Sequence, residues 1–506
     1  MPSVPSGCRA FALHPLIYMF ILMILAPVAT ANICSELEAQ GLTVEKHFTA
    51  KYNRIVKDYW SGICADLHPS CIVTPANARE MAQVVKALHD VDDLFAVKSG
   101  GHMASPGFAS VRDGLLISTK KLNQVTYNPD DKTAFVGPGL SWEDAQQKLR
   151  GTGRALVGGR LGGVGVGGLM LGGGMSFLST QYGWAANNVV NYEVVLANGT
   201  IVNANKKENA GLFGALKGGG NNFGIVTSYR LQTQPQNHKV WGGEFIYPDS
   251  SQAVQVMKAI RDFAEYYPDE KAGIIATTQY TPTLQSWVIF TFYDGPQPPK
   301  GVFDNFTALH PKEVTKTWDS YDELLKANDI HILKDRRYTS FTETMPVPNA
   351  ACGPQVMKKI RDHWFNTTAT VLDVPDMIGA LALQPLPRKM SREVKNRGGD
   401  LYNFSTDQDY FIVNFDFSYF NASFDETIAT ANQKILEGHE NIIEDFIDDG
   451  VLPDVHRPLF MNEADGEQDY WGRLEPETTE WAREVRERYD PEMFFQTRTS
   501  GGFRLG

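Results

Sequence analysis

Val157-Gly-Gly-Arg-Leu-Gly-Gly-Val-Gly-Val-Gly-Gly-Leu-Met-Leu-Gly-Gly-Gly174 is the most unusual stretch of the chain, and with its flank it puts 12 glycines into the 24 residues 151–174. A backbone so poor in Cβ atoms is expected to turn through positive φ or to lie directly against a ligand, with N–H groups free to cradle an anion such as a pyrophosphate. The glycines alternate with Leu156, Val157, Leu161, Val164, Val166, Leu169, Met170 and Leu171, which marks a buried loop, whereas a flexible linker would carry serines. Gly163-x-Gly165-x-x-Gly168 matches the letters of a dinucleotide fingerprint, but that fingerprint needs a strand directly before it and a helix directly after it. Gly172-Gly-Gly174 stands where the helix should start, so the fingerprint is rejected. A Walker loop is rejected too, since no Gly-Lys-Ser/Thr follows.

Upstream, Ile72-Val73 reads as a short strand, and the cap pair Asn77/Glu80 opens a helix whose apolar stripe is Met81, Val84, Val85 and Leu88. Phe95–Lys98, Leu115–Ser118 and Ala134–Val136 read as strands, and Ser141 with Asp144 opens a second helix running to about Arg150. Downstream, residues 410–419 alternate, with Phe411, Val413, Phe415, Phe417 and Tyr419 on one face and Tyr410, Ile412, Asn414, Asp416 and Ser418 on the other. That is the period of a sheet with two environments: one face packs on helices and the other is free to line a pocket. The texture is α+β without repeats.

The 506 residues are enough for several domains, and the net charge of −12 gives a field that repels polyanions, so no nucleic-acid partner is expected. Arg9 precedes the apolar run Leu16–Ala26 and the small-x-small site Ala29-Thr30-Ala31, the pattern of a cleaved secretory signal. The run is too short for a spanning helix, so no membrane association is expected after cleavage. Cys8 leaves with the signal, and of Cys34, Cys64, Cys71 and Cys352 the preferred bridge is Cys34–Cys71, with Cys64 open as the alternative partner. Sequons at Asn198, Asn305, Asn366, Asn403 and Asn421 fit a secreted glycoprotein.

Lys98-Ser-Gly-Gly-His102-Met-Ala-Ser-Pro-Gly-Phe108, the glycine loop and Tyr182-Gly183 leading to Asn188 resemble the flavin domain of the vanillyl-alcohol-oxidase/p-cresol-methylhydroxylase superfamily. Within it the chain is most similar to the fungal branch of the berberine-bridge-enzyme-like FAD-linked oxidases. Gly218-Gly-Gly-Asn-Asn-Phe-Gly-Ile-Val226, Tyr489-Asp-Pro491 and Phe494-Phe-Gln496 continue the match. The resemblance implies an α+β chain with the two-subdomain FAD-binding fold of the p-cresol-methylhydroxylase type and an antiparallel-sheet substrate domain. The expected division is signal 1–31, N-terminal segment 32–65, FAD domain 66–237, substrate domain 238–455, and a segment 456–506 returning to the FAD domain.

It further implies FAD bound covalently through His102, with Ser99, Gly100, Gly101, Met103, Val164, Gly165, Gly168, Gly173, Asn188, Gly224, Val226 and Asn462 holding the cofactor. Some relatives add a second link through a Cys in the glycine loop; Leu161 stands there, so a single link is expected. Val164 matches the small apolar gatekeeper that leaves oxygen a route to reduced flavin. No metal site is expected.

Where plant relatives place a catalytic Glu after a Gly-Gly pair, the register from Gly398-Gly399 gives Asn403, which is no general base. Asp400, Tyr402, Asp409 and Tyr410 are nearby substitutes. Glu463, following Asn462 where relatives carry Tyr, is another. Tyr410 and then Glu463 are the preferred catalytic residues. The expected function is a secreted FAD-dependent oxidase that passes substrate hydride to FAD and then to oxygen, acting on a small-molecule secondary metabolite. The alternatives are an oligosaccharide oxidase, or a flavin protein that binds ligand or steers a cyclisation without net oxidation.

Overall fold

The computed structural model describes residues 33–248 and 250–506, so the signal-like segment and Cys8 lie outside the described residues. Three principal sheets organise the chain. The first has four strands in the order Val44–Lys46, Cys71–Val73, Leu115–Ser118 and Phe95–Lys98; the first pair is antiparallel and the others are parallel. The helix Ala78–His89 covers it, burying Met81, Val84, Val85 and Leu88 as the sequence spacing required. Its start is the expected cap: Glu80 N–H donates to Asn77 Oδ1 at 3.0 Å while the Glu80 carboxylate accepts from Ala76 N–H at 2.8 Å. The Cys34–Cys71 disulfide ties the first helix, Ile33–Ala39, to this sheet.

The second sheet is antiparallel, with the order Val125–Asn128, Thr133–Val136, Ile225–Gln232, Val189–Val195 and Ile201–Ala204. The helix Trp142–Gln147 beside it is capped by Ser141, which accepts from Asp144 N–H at 3.2 Å. It stops at Gln147, short of the expected Arg150, because residues 148–150 close as turns.

The third sheet is fully antiparallel and seven-stranded: Lys312–Trp318, Val240–Tyr247, Gln285–Tyr293, Ala272–Tyr280, Ile378–Leu386, Tyr410–Tyr419 and Arg337–Pro346. Its two faces follow the alternation read from residues 410–419. Phe411, Val413, Phe415, Phe417 and Tyr419 join one apolar core with the helices Ala253–Tyr266, Gly353–Ala369 and Asp425–Asp448. Asn414 and Asp416 face the other way, into a cavity shared with the first two sheets. No helix among the described residues is long and apolar enough to cross a membrane.

Candidate active site

The cavity measures about 380 Å³. One wall is the loop Ser99–Ala104 after the strand Phe95–Lys98, together with Val164, Gly165, Gly167 and Gly168; the opposite wall is Ile275, Ser340, Asn414 and Asp416 of the seven-stranded sheet. The backbone N–H groups of Gly100, Gly101, His102 and Met103 find no acceptor among the described residues. Of the four only Gly101 is buried, yet a run of four unpaired N–H donors along a cavity lining forms an anion cradle, which suits the pyrophosphate of FAD.

The glycine loop is glycine-rich for a different reason from the one its composition suggests. Within 151–174 only Gly151, Gly153, Gly173 and Gly174 have positive φ. A Cβ on Gly158 or Gly159 would overlap the Trp142 indole, and Cβ atoms on Gly100 and Gly165 would each meet the other's backbone. Most of these residues are small because protein packs on them. Gly168 is the exception that fits a cofactor: it lines the cavity, and a Cβ there would meet nothing within 4 Å. A short helix, Val166–Leu171, does begin inside the loop, where the sequence reading expected none; it is too short to change the rejection of a dinucleotide fingerprint.

His102 lines the cavity, and neither ring nitrogen has a hydrogen-bond partner among the described residues. Burial pulls its pKa down to about 4, so the imidazole is neutral, as a nucleophile must be. Leu161 also lines the cavity, and no cysteine does. Cys64 is buried beneath the loop, its thiol donating to the carbonyls of Met103 and Ala104 at 3.4 and 3.2 Å.

At the sheet end, Arg160 donates to Gln384 and lies 3.4 Å from Glu463, whose second oxygen accepts from Gln384 Nε2 at 2.6 Å. Burial raises the Glu463 pKa, with Arg160 and Gln384 opposing. Asp416 stands between Ser340 and Ala380 in the sheet register, and its Oδ1 has no partner. Burial pushes its carboxyl up to about 7; Ser340 and Asn414 pull it down, and Glu463 adds to the rise.

Of the residues expected to hold the cofactor, His102, Ser99, Gly100, Gly101, Met103, Val164, Gly165, Gly168, Gly224, Val226 and Asn462 line this cavity. Gly173 and Asn188 do not. Gly173 packs on Tyr402, and Asn188 is a structural hub donating to the carbonyls of Tyr182 and Trp184 at 2.9 Å each. Asn462 spends its amide on the glycine loop: Oδ1 accepts from Gly174 N–H at 3.0 Å, and Nδ2 faces the carbonyls of Gly168 and Leu169 at 3.3 Å.

Tyr410 is misplaced as a base. It shares the strand face of Asp416, but six residues at about 3.4 Å each put it ~20 Å away, buried against Phe404 and outside the cavity lining. Asn403 is also corrected: it is exposed, donates to Glu475 at 2.6 Å, and lines a separate cavity of about 290 Å³ with Asp400. Asp409 is tied to Arg388, and Tyr402 donates to Gly172 O at 2.7 Å while accepting from Met461 N–H at 3.2 Å. The carboxylate that reasoning from the Gly-Gly register missed is Asp416, the only charged residue on the polar face of its strand.

Residues 69–205 match the family model described as FAD binding domain. An uncharacterized FAD-linked oxidoreductase of Arthroderma benhamiae is 45% identical over 94% of this chain and 95% of its own length. The FAD-dependent monooxygenase prx3 of Penicillium roqueforti is 32% identical, covering 94% of each chain. Among solved structures, Physcomitrella patens BBE-like 1 superposes with a TM-score of 0.75 at 18% identity, over 94% of this chain and 99% of that one. A carbohydrate oxidase from Microdochium nivale gives 0.75 at 22%, over the same shares. The cradle of free N–H groups and the neutral His102 agree with these likenesses, the fold is that of the berberine-bridge-enzyme-like structures, and the chain belongs to the FAD-linked oxidoreductases.

Proposed function

We propose that this FAD-dependent oxidoreductase is an oxidase that holds FAD by one covalent bond at His102 and takes hydride from a small alcohol or phenol of secondary metabolism. The observation that carries the proposal is the joining, in one cavity, of the N–H cradle, the neutral His102 and, on the opposite wall, a carboxylate with one oxygen unpartnered. Bound FAD supplies the two-electron acceptor. The chain supplies the rest. Asp416, with a pKa near neutrality and a free oxygen, removes the substrate hydroxyl proton. Glu463 has its oxygens engaged by Gln384 and Arg160, so its work is to hold that guanidinium against the cavity. Leu161, Met175 and Ile275 give the surroundings an apolar character that favours a carbon framework over a sugar. The non-oxidising alternative rested on the lack of a base, and Asp416 removes that reason. Val164, small and apolar in the lining, supports access for oxygen.

The same proposal includes entry into the secretory pathway, cleavage near Ala31 and N-glycans at some of Asn198, Asn305, Asn366 and Asn421, all of which are exposed. The test is an absorption spectrum of purified protein, followed by bleaching and oxygen uptake with a panel of phenols, secondary alcohols and oligosaccharides. Bleaching and peroxide with phenols or alcohols are expected; bleaching by oligosaccharides alone would overturn the substrate class.

A further inference from the structure

Imidazole side chains that do chemistry usually have one nitrogen fixed by a hydrogen bond that sets the ring's orientation. His102 has none among the described residues. What it has instead is an aromatic face. The Trp60 ring lies on it with centroids 4.4 Å apart and planes 5° from parallel, and Tyr338 stacks on Trp60 at 4.2 Å and 22°. Two rings at such distances occupy the two faces of one indole, so Trp60 is held between the cofactor loop and the substrate sheet.

Its backbone is anchored on both sides. Trp60 N–H donates to Gly101 O at 3.0 Å, next to the histidine itself. Tyr59 Oη reaches Ala109 O at 2.7 Å, and Lys98 Nζ reaches Asp58 O at 2.6 Å. On the sheet side, Ser61 Oγ donates to Tyr338 O and accepts from Tyr338 N–H, both at 2.9 Å, and Gly62 N–H donates to Arg336 O at 2.8 Å. Trp60 is only partly buried, and it lines the cavity, so filling a core does not explain this bracing.

We propose that Trp60 is the positioning residue for His102, fixing the imidazole plane in the orientation from which it bonds to FAD. The proposal rests on the covalent reading above. In that step an imidazole nitrogen replaces one hydrogen of the flavin 8α-methyl carbon. The displaced C–H hydrogen and the imidazole N–H hydrogen, with two electrons, reduce the ring system; molecular oxygen then takes both as peroxide, restoring the oxidised and now tethered cofactor. A freely turning imidazole would present its nitrogen in the bonding direction only part of the time, and misorientation of this kind slows bond formation steeply.

The experiment uses full-length protein and the ratio of acid-insoluble to total flavin, in purified material and over time with added FAD. Trp60→Leu is expected to keep total FAD binding while slowing covalent attachment roughly 10–100-fold. Trp60→Phe, which restores a flat ring, should return the rate to within about threefold of wild type. If Trp60→Leu does not fold, Tyr338→Leu carries the test, because it removes the ring behind Trp60 without touching His102; slower attachment supports the proposal. Wild-type attachment in the folded leucine variant at either position overturns it. Complete release of flavin from the wild-type protein is a separate result, which overturns the covalent reading and this inference with it.

Discussion

Asp416→Asn removes the cavity carboxylate whose Oδ1 has no partner and keeps its shape. The structure sets two opposite effects. With the carboxyl raised to about 7 from its ordinary 3.8, the fraction able to accept a proton falls tenfold for each pH unit below neutrality. Flavin reduction in the wild type should therefore climb from about pH 6 and level off near pH 8. Loss of the base should slow it roughly 10²–10⁴-fold and flatten that profile. Stability should move the other way. Because the folded pKa lies above the unfolded one, the folded protein binds the extra proton between those values, and stability falls as pH rises from about 4 to 7. Asparagine escapes that penalty, so the variant should be more stable at about pH 8 by roughly 2–4 kcal/mol, with little difference near pH 4. Anaerobic stopped-flow reduction with a substrate that bleaches the wild-type flavin, and thermal melts at both pH values, measure the two effects. A variant that reduces at the wild-type rate, with the same melting shift at both pH values, would refute the reasoning.

Gly168→Ala should leave the apoprotein as stable or slightly more so, since the position is helical and open, yet lower FAD content, because the new methyl enters the cavity; flavin-to-protein ratio and apoprotein melts test it. His439 is buried with both nitrogens unpartnered, and burial pulls its pKa to about 4, below the unfolded value of 6.5. The unfolded chain takes up that proton first, so stability is lost as pH falls through this window, by up to about 3 kcal/mol, and His439→Leu should blunt the loss in melts across pH. Arg473→Met strands the buried Glu343, which Arg473 contacts at 2.5 and 3.0 Å, and should cost about 3–5 kcal/mol in chemical denaturation. Opening the Cys34–Cys71 bridge, whose ends are 37 residues apart, should cost about 4 kcal/mol on chain-entropy grounds, read from melts of Cys34→Ser.

Much of this fold is legible in the sequence because local rules agree with it. Asn77 and Glu80 announce a helix start wherever they fall, and period-two alternation over 410–419 separates a core face from a cavity face without knowledge of the neighbours. The glycine loop is legible as a feature but not residue by residue. Composition cannot tell a glycine pressed by Trp142 from one facing a cofactor, since both lack the same atom. Counting from Gly398-Gly399 misplaces Asn403 because it assumes a loop of fixed course. In fact Asn403 turns outward at a φ of +49° and bonds Glu475. Asp416 was visible as the lone charge on the polar face; what was hidden is the burial that raises it. Arg160, Gln384 and Glu463 come together across separations of 224 and 303 residues, which no local pattern encodes. The Trp60 stack is hidden for the same reason, because Tyr338 lies far along the chain.

The most direct test of the central claim is peptide mass analysis of the purified protein after acid precipitation and proteolysis. The account predicts that flavin stays with the polypeptide and that the peptide containing His102 carries the mass of FAD less two hydrogens. His102→Ala should then release all its flavin to the supernatant. An unmodified His102 peptide from wild-type protein that sheds its FAD into the acid supernatant would contradict the claim.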